Sequence, residues 1–443
     1  MLEISLLLLR RQGFWGPVGE RLNFLKPSKA RMSLQNWDCR PYASSLQIPR
    51  QYRMICIMWI ERQFEELLRK SAETRPVVVL TGPRQTGKTS LVRRIFPSHA
   101  YVSLDLPSEA AQAEEDPIAF LRRHGDRLIV DEVQYAPALF RHLKRVVDEN
   151  REQMGQFILT GSQPFQLMHG VSESLAGRAD ILRLDGLSYR EIRADKHPLA
   201  VEAFVLRGGF PELYERPEIE TSSFYRSYVA TYLERDLRMQ LQVGNLRDFE
   251  RFLRACALRT SQLLNRAELA RDVGISPTTA GQWLGVLEQS GIITLLEPWF
   301  SNATKSLIKT PKLHFNDGGL CAFLMGMQTL EDLLSSPLAG ALWETCVFTE
   351  IRKALAANPR WQLAFWRDRT KEADFLFHRA GRFMLADAKW SENPTSGGRL
   401  PLVRKEIHGP PPTAIISRVA NPFPLKDGTE ALPLLELADL LAQ

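Results

Sequence analysis

The stretch that decides the fold is Val77-Val78-Val79-Leu80-Thr81-Gly82-Pro83-Arg84-Gln85-Thr86-Gly87-Lys88-Thr89. Its first five residues form a short, β-branched apolar run of the kind that makes a buried parallel strand, and the rest reads G-x-x-x-x-G-K-T. The glycines let the backbone curl until successive N–H groups face one centre. The helix expected from near Lys88 (Ser90, Leu91, Val92, Arg93, Arg94, Ile95) adds its positive end. A nucleotide's phosphates suit that centre: Lys88 would reach the β- and γ-phosphates, and Thr89 would ligate Mg²⁺. A Gly-containing turn can match this pattern by chance, but the strand before it and the helix after it argue otherwise.

Leu128-Ile129-Val130 followed by Asp131-Glu132 is a second buried strand ending in two carboxylates. Asp131 would hold Mg²⁺ through water and Glu132 would polarise the attacking water, because the carboxyl edge of a parallel sheet faces the phosphates. Tyr101 to Asp105, Phe157 to Thr160 and Ile181 to Leu184 read as further strands of the same sheet. Ser162, or failing that Thr160, is placed to touch the γ-phosphate or its water. Arg178 stands where an arginine could complete a neighbouring subunit's site, which would make the protein a homo-oligomer. A surface arginine with no such role is the commoner case.

Together LTGPRQTGKT, YVSLD, LIVDEVQ, FILTGSQ, SLAGRAD and RGGFPELYE resemble the AAA+ superfamily P-loop ATPases of bacteria and archaea that carry a C-terminal domain of unknown function. The resemblance runs from about Met58 to the end of the chain. It implies an ATP-binding α/β core with strand order 5-1-4-3-2 and a helical lid, with ATP and Mg²⁺ as cofactors on Gly82 to Thr89 and Asp131. It leaves the partner open.

Of the 443 residues, 57 are Lys or Arg and 51 are Asp or Glu, a formal charge of +6 and a pI near 9.1. The whole excess lies in residues 1–57, which hold nine basic and three acidic residues, so the remainder is neutral. The pI therefore does not argue for nucleic acid. Residues 1–57 lack sustained periodicity and read as a basic, poorly ordered extension, with Met54 or Met58 as candidate translation starts. No apolar run approaches the ~18 residues that span a bilayer, so a cytoplasmic protein is expected. Five scattered cysteines without a CxxC pair point to neither disulfides nor zinc.

The remainder divides into an ATPase core (58–200), a lid (201–245), a winged-helix-like segment (246–311) and a C-terminal domain (312–443). Phe224, Tyr225, Tyr228, Val229, Tyr232 and Leu233 recur at helical spacing, with Arg226, Arg235 and Arg238 alongside, and read as lid core. Arg266 to Val273 and the helix from Pro277, joined at Gly274 and capped by Ser276, make a helix-turn-helix, with Gly291 to Leu296 as a following strand. Pro277 to Gln289 contains no Lys or Arg, which argues against DNA reading there, although Arg266, Arg271, Lys305 and Lys309 could touch phosphate.

In the helix from Leu338 to Leu355, Glu344 falls inside the apolar stripe of Trp343, Val347, Phe348 and Ile351, so it should have a partner or a metal. Glu350 lies at the stripe's edge and is expected to be solvated. Asp374 and then Asp387-Ala388-Lys389 follow on two strands, and a period of two places Asp387 and Lys389 on one face. Glu344, Asp374, Asp387 and Lys389 resemble the PD-(D/E)XK nuclease fold, with Asp387 where Glu is more usual. That resemblance implies carboxylates holding Mg²⁺ beside a lysine that activates water. The leading expectation is Mg²⁺-dependent ATP hydrolysis coupled to a DNA or protein partner. An ATP-regulated nuclease and a winged-helix regulator are the alternatives.

Overall fold

The computed structural model describes residues 59–162, 174–194, 199–232, 246–299, 310–368, 370–395, 399–407 and 409–442. The expected extension with Met54 and Met58, together with Leu233, Arg235, Arg238, Lys305 and Lys309 and the side chain of Tyr232, lies outside the described residues. Trp59 to Gln443 clusters as one unit.

Strands β1 (Val77–Thr81), β2 (Ala100–Ser103), β3 (Leu128–Asp131), β4 (Phe157–Gly161) and β5 (Ala179–Arg183) form a parallel sheet in the order β2-β3-β4-β1-β5, the arrangement implied by the resemblance. Alternation along β1 feeds two cores. Val77 and Val79 pack with Leu139, Phe140 and Leu143 of the Ala138–Glu149 helix, while Val78 and Leu80 pack with Phe64, Leu68, Leu91 and Val92. Both faces are thus covered, as an all-apolar parallel strand requires. Among the described residues the first helix is Phe64–Thr74, and β2 ends at Ser103, leaving Asp105 beyond it.

The aromatic stripe is core, as its spacing suggests: Phe210 lies 5.3, 5.8 and 4.8 Å from the rings of Phe224, Tyr225 and Tyr228. Downstream, the Arg266–Val273 helix ends at Gly274 (φ +82°), and Ser276 caps the Pro277–Gln289 helix by accepting from the Thr279 amide. Strand β7 (Ile293–Leu296) pairs antiparallel with β8 (Lys312–Phe315), and β6 (Gln262–Leu263) borders β8.

A mixed C-terminal sheet follows the order β13-β14-β12-β11-β10-β9, built from β9 (Gln362–Arg367), β10 (Glu372–Arg379), β11 (Arg382–Lys389), β12 (Thr413–Ser417), β13 (Phe423–Pro424) and β14 (Glu430–Pro433). The Ala339–Ala357 helix packs on it, with Trp343 Nε1 donating to the Ile416 carbonyl at 3.1 Å. No helix among the described residues is long and apolar enough to cross a membrane.

That same helix ties the C-terminal half to the first sheet. Arg352 pairs with Asp185, two residues past β5, at 3.2 Å, and donates to Thr294 at 2.7 Å and to Asn316. Lys353 bonds Glu350 and the Leu187 carbonyl, and Glu350 accepts from the Tyr189 amide. Glu350 is therefore buried, contrary to the expected solvation, because the 187–189 loop covers the helix side that its periodicity left open. Burial would raise the Asp185 carboxyl, but Arg352 and Arg183 outweigh it and hold the pKa at about 2.

Removing Arg352 would leave Asp185 buried without its main partner, a change that costs about 3–5 kcal/mol. Arg352→Ala should therefore lower the melting temperature sharply near neutral pH. Since the Asp185 pKa is depressed on folding, its contribution is present above the ordinary Asp pKa of about 4 and lost as pH falls toward about 2. The gap between wild type and variant should narrow over that window, and equal melting at neutral pH would refute the assignment.

Candidate functional site

The loop from Gly82 to Thr89 stands between β1 and the Lys88–Ile95 helix. Gly82 has φ +146°, and a Cβ there would meet the Leu184 carbonyl oxygen at 2.1 Å, so only glycine fits. Gly87 (φ +86°) starts the helix. Lys88 is buried and donates to the carbonyls of Gly82 and Pro83 at 2.9 and 2.7 Å. Burial lowers its pKa to about 8 against the attraction of Glu132 and Asp131, with Arg84 and Arg183 adding to the decrease.

Thr89 donates to both Asp131 oxygens at 3.1 and 2.9 Å, Tyr101 donates to Oδ2 at 3.0 Å, and Thr160 also donates to this carboxylate. The expected cation ligands Thr89 and Asp131 thus meet at the carboxyl ends of their elements, a hydroxyl and carboxylate donor set suited to Mg²⁺. Glu132 sits at φ +54° and accepts from Gln134, from the Ser162 amide at 3.1 Å and from Ser162 Oγ at 2.9 Å. Burial would raise its pKa, but these hydrogen bonds and Lys88 bring it below the ordinary Glu value. Ser162 and Thr160, expected against the phosphate, are turned onto Glu132 and Asp131.

Arg178 is not among these residues. It precedes β5, whose Ala179 lies level with Val77, so it stands at the edge of the sheet opposite the loop, paired with Asp148 at 2.7 and 2.9 Å. Arg183, level with Thr81, is the β5 arginine nearest the loop. Sequence reasoning also missed Arg62, which donates to the Thr86 carbonyl at 3.1 Å and the Asp185 carbonyl at 2.7 Å while paired with Glu191 at 3.3 Å. It clamps the loop to the turn after β5. In sequence it reads only as one more charge beside a helix.

The C-terminal residues do converge. The Asp374 amide donates to Asp387 at 3.1 Å, the Ala388 amide donates to Asp374 at 3.0 Å, and Lys389 lies 3.3 Å from Asp387 and 3.9 Å from Asp374. Register between β9 and β10 shifts between Ala373 and Leu376, a gap that includes Asp374. Two residues were not expected, Lys312 of β8 and Glu372: Lys312, 2 % exposed, lies 2.9 Å from Glu344, 2.8 Å from Glu372 and 3.4 Å from Asp374. Lys312 is the partner that Glu344 required. Burial with the Asp374 charge nearby pushes the carboxyls of Glu344 and Asp387 up, to about 8 and about 7.

Residues 74–193 match the family described as AAA domain, residues 199–331 a domain of unknown function (DUF8612), and residues 339–437 a domain of unknown function (DUF4143). Uncharacterized proteins of Mycobacterium tuberculosis and Mycobacterium bovis are each 32% identical over 391 residues, spanning 86% of this chain and 85% of theirs. Among solved structures, the Walker-type ATPase of Pyrococcus abyssi is similar at a TM-score of 0.42 and 18% identity, over 60% of this chain and 96% of that one. The RuvB Holliday junction branch migration motor of Thermotoga maritima follows at 0.28 and 17%, over 53% and 90%.

The lowered pKa of Lys88 has a measurable result. Phosphate binding needs the ammonium charged, and a pKa of about 8 leaves the free protein with about half of that charge near pH 8. Affinity for a fluorescent ATP analogue should be level below about pH 7 and weaken above about pH 8, approaching tenfold per pH unit. Lys88→Met should bind weakly at every pH. A wild-type profile that stays level to about pH 10 would contradict the burial-driven shift.

Proposed function

Because this chain belongs to a family of P-loop ATPases that join an AAA domain to a C-terminal domain of unknown function, we propose that it hydrolyses ATP with Mg²⁺ to alter its hold on a macromolecular partner. The observation that carries this is the meeting of Thr89 with Asp131 beside a Glu132 fixed by Ser162. Gly82 to Thr89 would wrap the phosphates, with Lys88 exchanging the Gly82 and Pro83 carbonyls for phosphate oxygens. Thr89 and Asp131 would hold Mg²⁺, which supplies charge neutralisation for phosphoryl transfer. Glu132 would orient the attacking water and accept its hydrogen bond, a role that suits a carboxyl held below its ordinary pKa.

Coupling would run through the turn after β5. Arg62 ties Thr86 to Asp185, and Asp185 holds Arg352 of the long C-terminal helix. The absence of Lys and Arg from Pro277 to Gln289 favours a protein partner over duplex DNA. The same reading takes the protein to be cytoplasmic. For Arg178 to serve a neighbouring copy in a homo-oligomer, it would first have to leave Asp148. A second reading, an ATP-controlled nuclease at Glu344, Asp374, Asp387 and Lys389, would need a divalent ion where Lys312 meets Glu344 and Asp374.

Glu132→Gln should bind ATP as wild type does and lose hydrolysis by roughly 100- to 10,000-fold, while Lys88→Ala should lose binding. Steady-state phosphate release and nucleotide titration measure the two. Hydrolysis surviving in Glu132→Gln would remove Glu132 from the mechanism. Stimulation of the rate by double-stranded DNA, single-stranded DNA or RNA would replace the protein partner with nucleic acid.

A further inference from the structure

The nuclease-like fold implies a divalent cation among Glu344, Asp374 and Asp387, and the residues present do not fit one. We infer that Lys312 is the resident cation of this centre, that the centre takes no divalent metal, and that the C-terminal domain does not cleave nucleic acid. The first reason is steric. A magnesium ion needs oxygen ligands at about 2.0–2.1 Å, and the Lys312 ammonium already stands 2.8 to 3.4 Å from Glu372, Glu344 and Asp374. An ion between those carboxylates would overlap the ammonium, so one must leave.

Lys312 has no easy exit. Every residue of β8 is buried, the side chain of Lys312 is 2 % exposed, and its ammonium lies 5.5 Å from the centre of the Phe365 ring. β8 itself is fixed between β6 and β7. A lysine that only leaned into a metal site from solvent could swing away, whereas this one would require the strand to move.

The second reason is charge. Glu344, Glu372, Asp374 and Asp387 face Lys312 and Lys389, with Arg367 and Arg399 each 3.6 Å from Glu372. Four carboxylates thus meet four cationic side chains, of which Lys312 is buried while Lys389, Arg367 and Arg399 reach solvent, so the carboxylates already have their counter-charges without a divalent ion. Among the described residues, no group of three or more His, Cys, Asp or Glu side chains is arranged to hold a metal. Lys312 lies outside the Glu, Asp and Asp-x-Lys pattern, so that pattern alone does not report the cation that fills the centre.

The test uses full-length, nucleotide-free protein and Mn²⁺ alone, read by electron paramagnetic resonance and by thermal melting. Wild type should show no bound Mn²⁺ that Asp374→Asn removes; any Mn²⁺ at Thr89 and Asp131 would be indifferent to that change. Lys312→Met, similar in length but uncharged, should melt lower than wild type, acquire a Mn²⁺ site that Asp374→Asn abolishes, and regain melting temperature when Mn²⁺ is added. A wild-type Mn²⁺ site lost in Asp374→Asn would overturn the inference, and so would a folded Lys312→Met that gains no Mn²⁺. Should Lys312→Met fail to fold, the comparison of wild type with Asp374→Asn decides alone. Neither arm involves ATP, so failure of the ATPase reading would leave the result intact.

Discussion

The buried pair of Arg352 and Asp185 is the interaction around which the two halves are arranged. Burying two charges is costly unless their remaining hydrogen-bonding positions are filled. Here they are: Arg183 also reaches Asp185, and Arg352 is shared with Thr294 and Asn316. Asn316 in turn donates to the carbonyls of Gly291 and Ile293. The turn after β5, the start of β7, the end of β8 and the long C-terminal helix are thereby held at one point. The Gly82 backbone presses on Leu184, one residue away. The phosphate loop and the domain junction consequently share a boundary.

What could be read from the sequence is what the backbone dictates locally. The strand, glycine loop and helix from Val77 onward need particular residue types at particular spacings, and so do the Ser276 cap and the Asp387 and Lys389 alternation. Glu350, Arg62 and Lys312 were less legible because their roles depend on segments far away in the chain. The periodicity of a helix shows which face is apolar, yet it does not show that the 187–189 loop covers a second side. For Lys312 a signal existed: a lysine opening a strand whose Leu313 and Phe315 are apolar requires carboxylates if it is buried. It could not have said which ones.

The two carboxylate centres differ in how they are satisfied. Asp131 is held by the hydroxyls of Thr89, Tyr101 and Thr160, neutral donors that leave its charge available. The cluster around Glu344 and Asp374 is held by an ammonium, which cancels charge where the hydroxyls only orient it. Acidic residues at the ends of strands therefore do not suffice to define a cation centre. The chemical type of the donor that meets them decides whether negative potential remains.

The Ala339–Ala357 helix has 19 residues, a rod of about 28 Å at 1.5 Å per residue. Arg352 and Glu344 sit on this one rod, separated by roughly 12 Å of uninterrupted backbone hydrogen bonding. A strut of this kind does not absorb torsion as a loop would. The contact with Asp185 through Arg352 and the contact with Lys312 through Glu344 therefore belong to a single secondary-structure element, and the spacing between them is set by helix geometry.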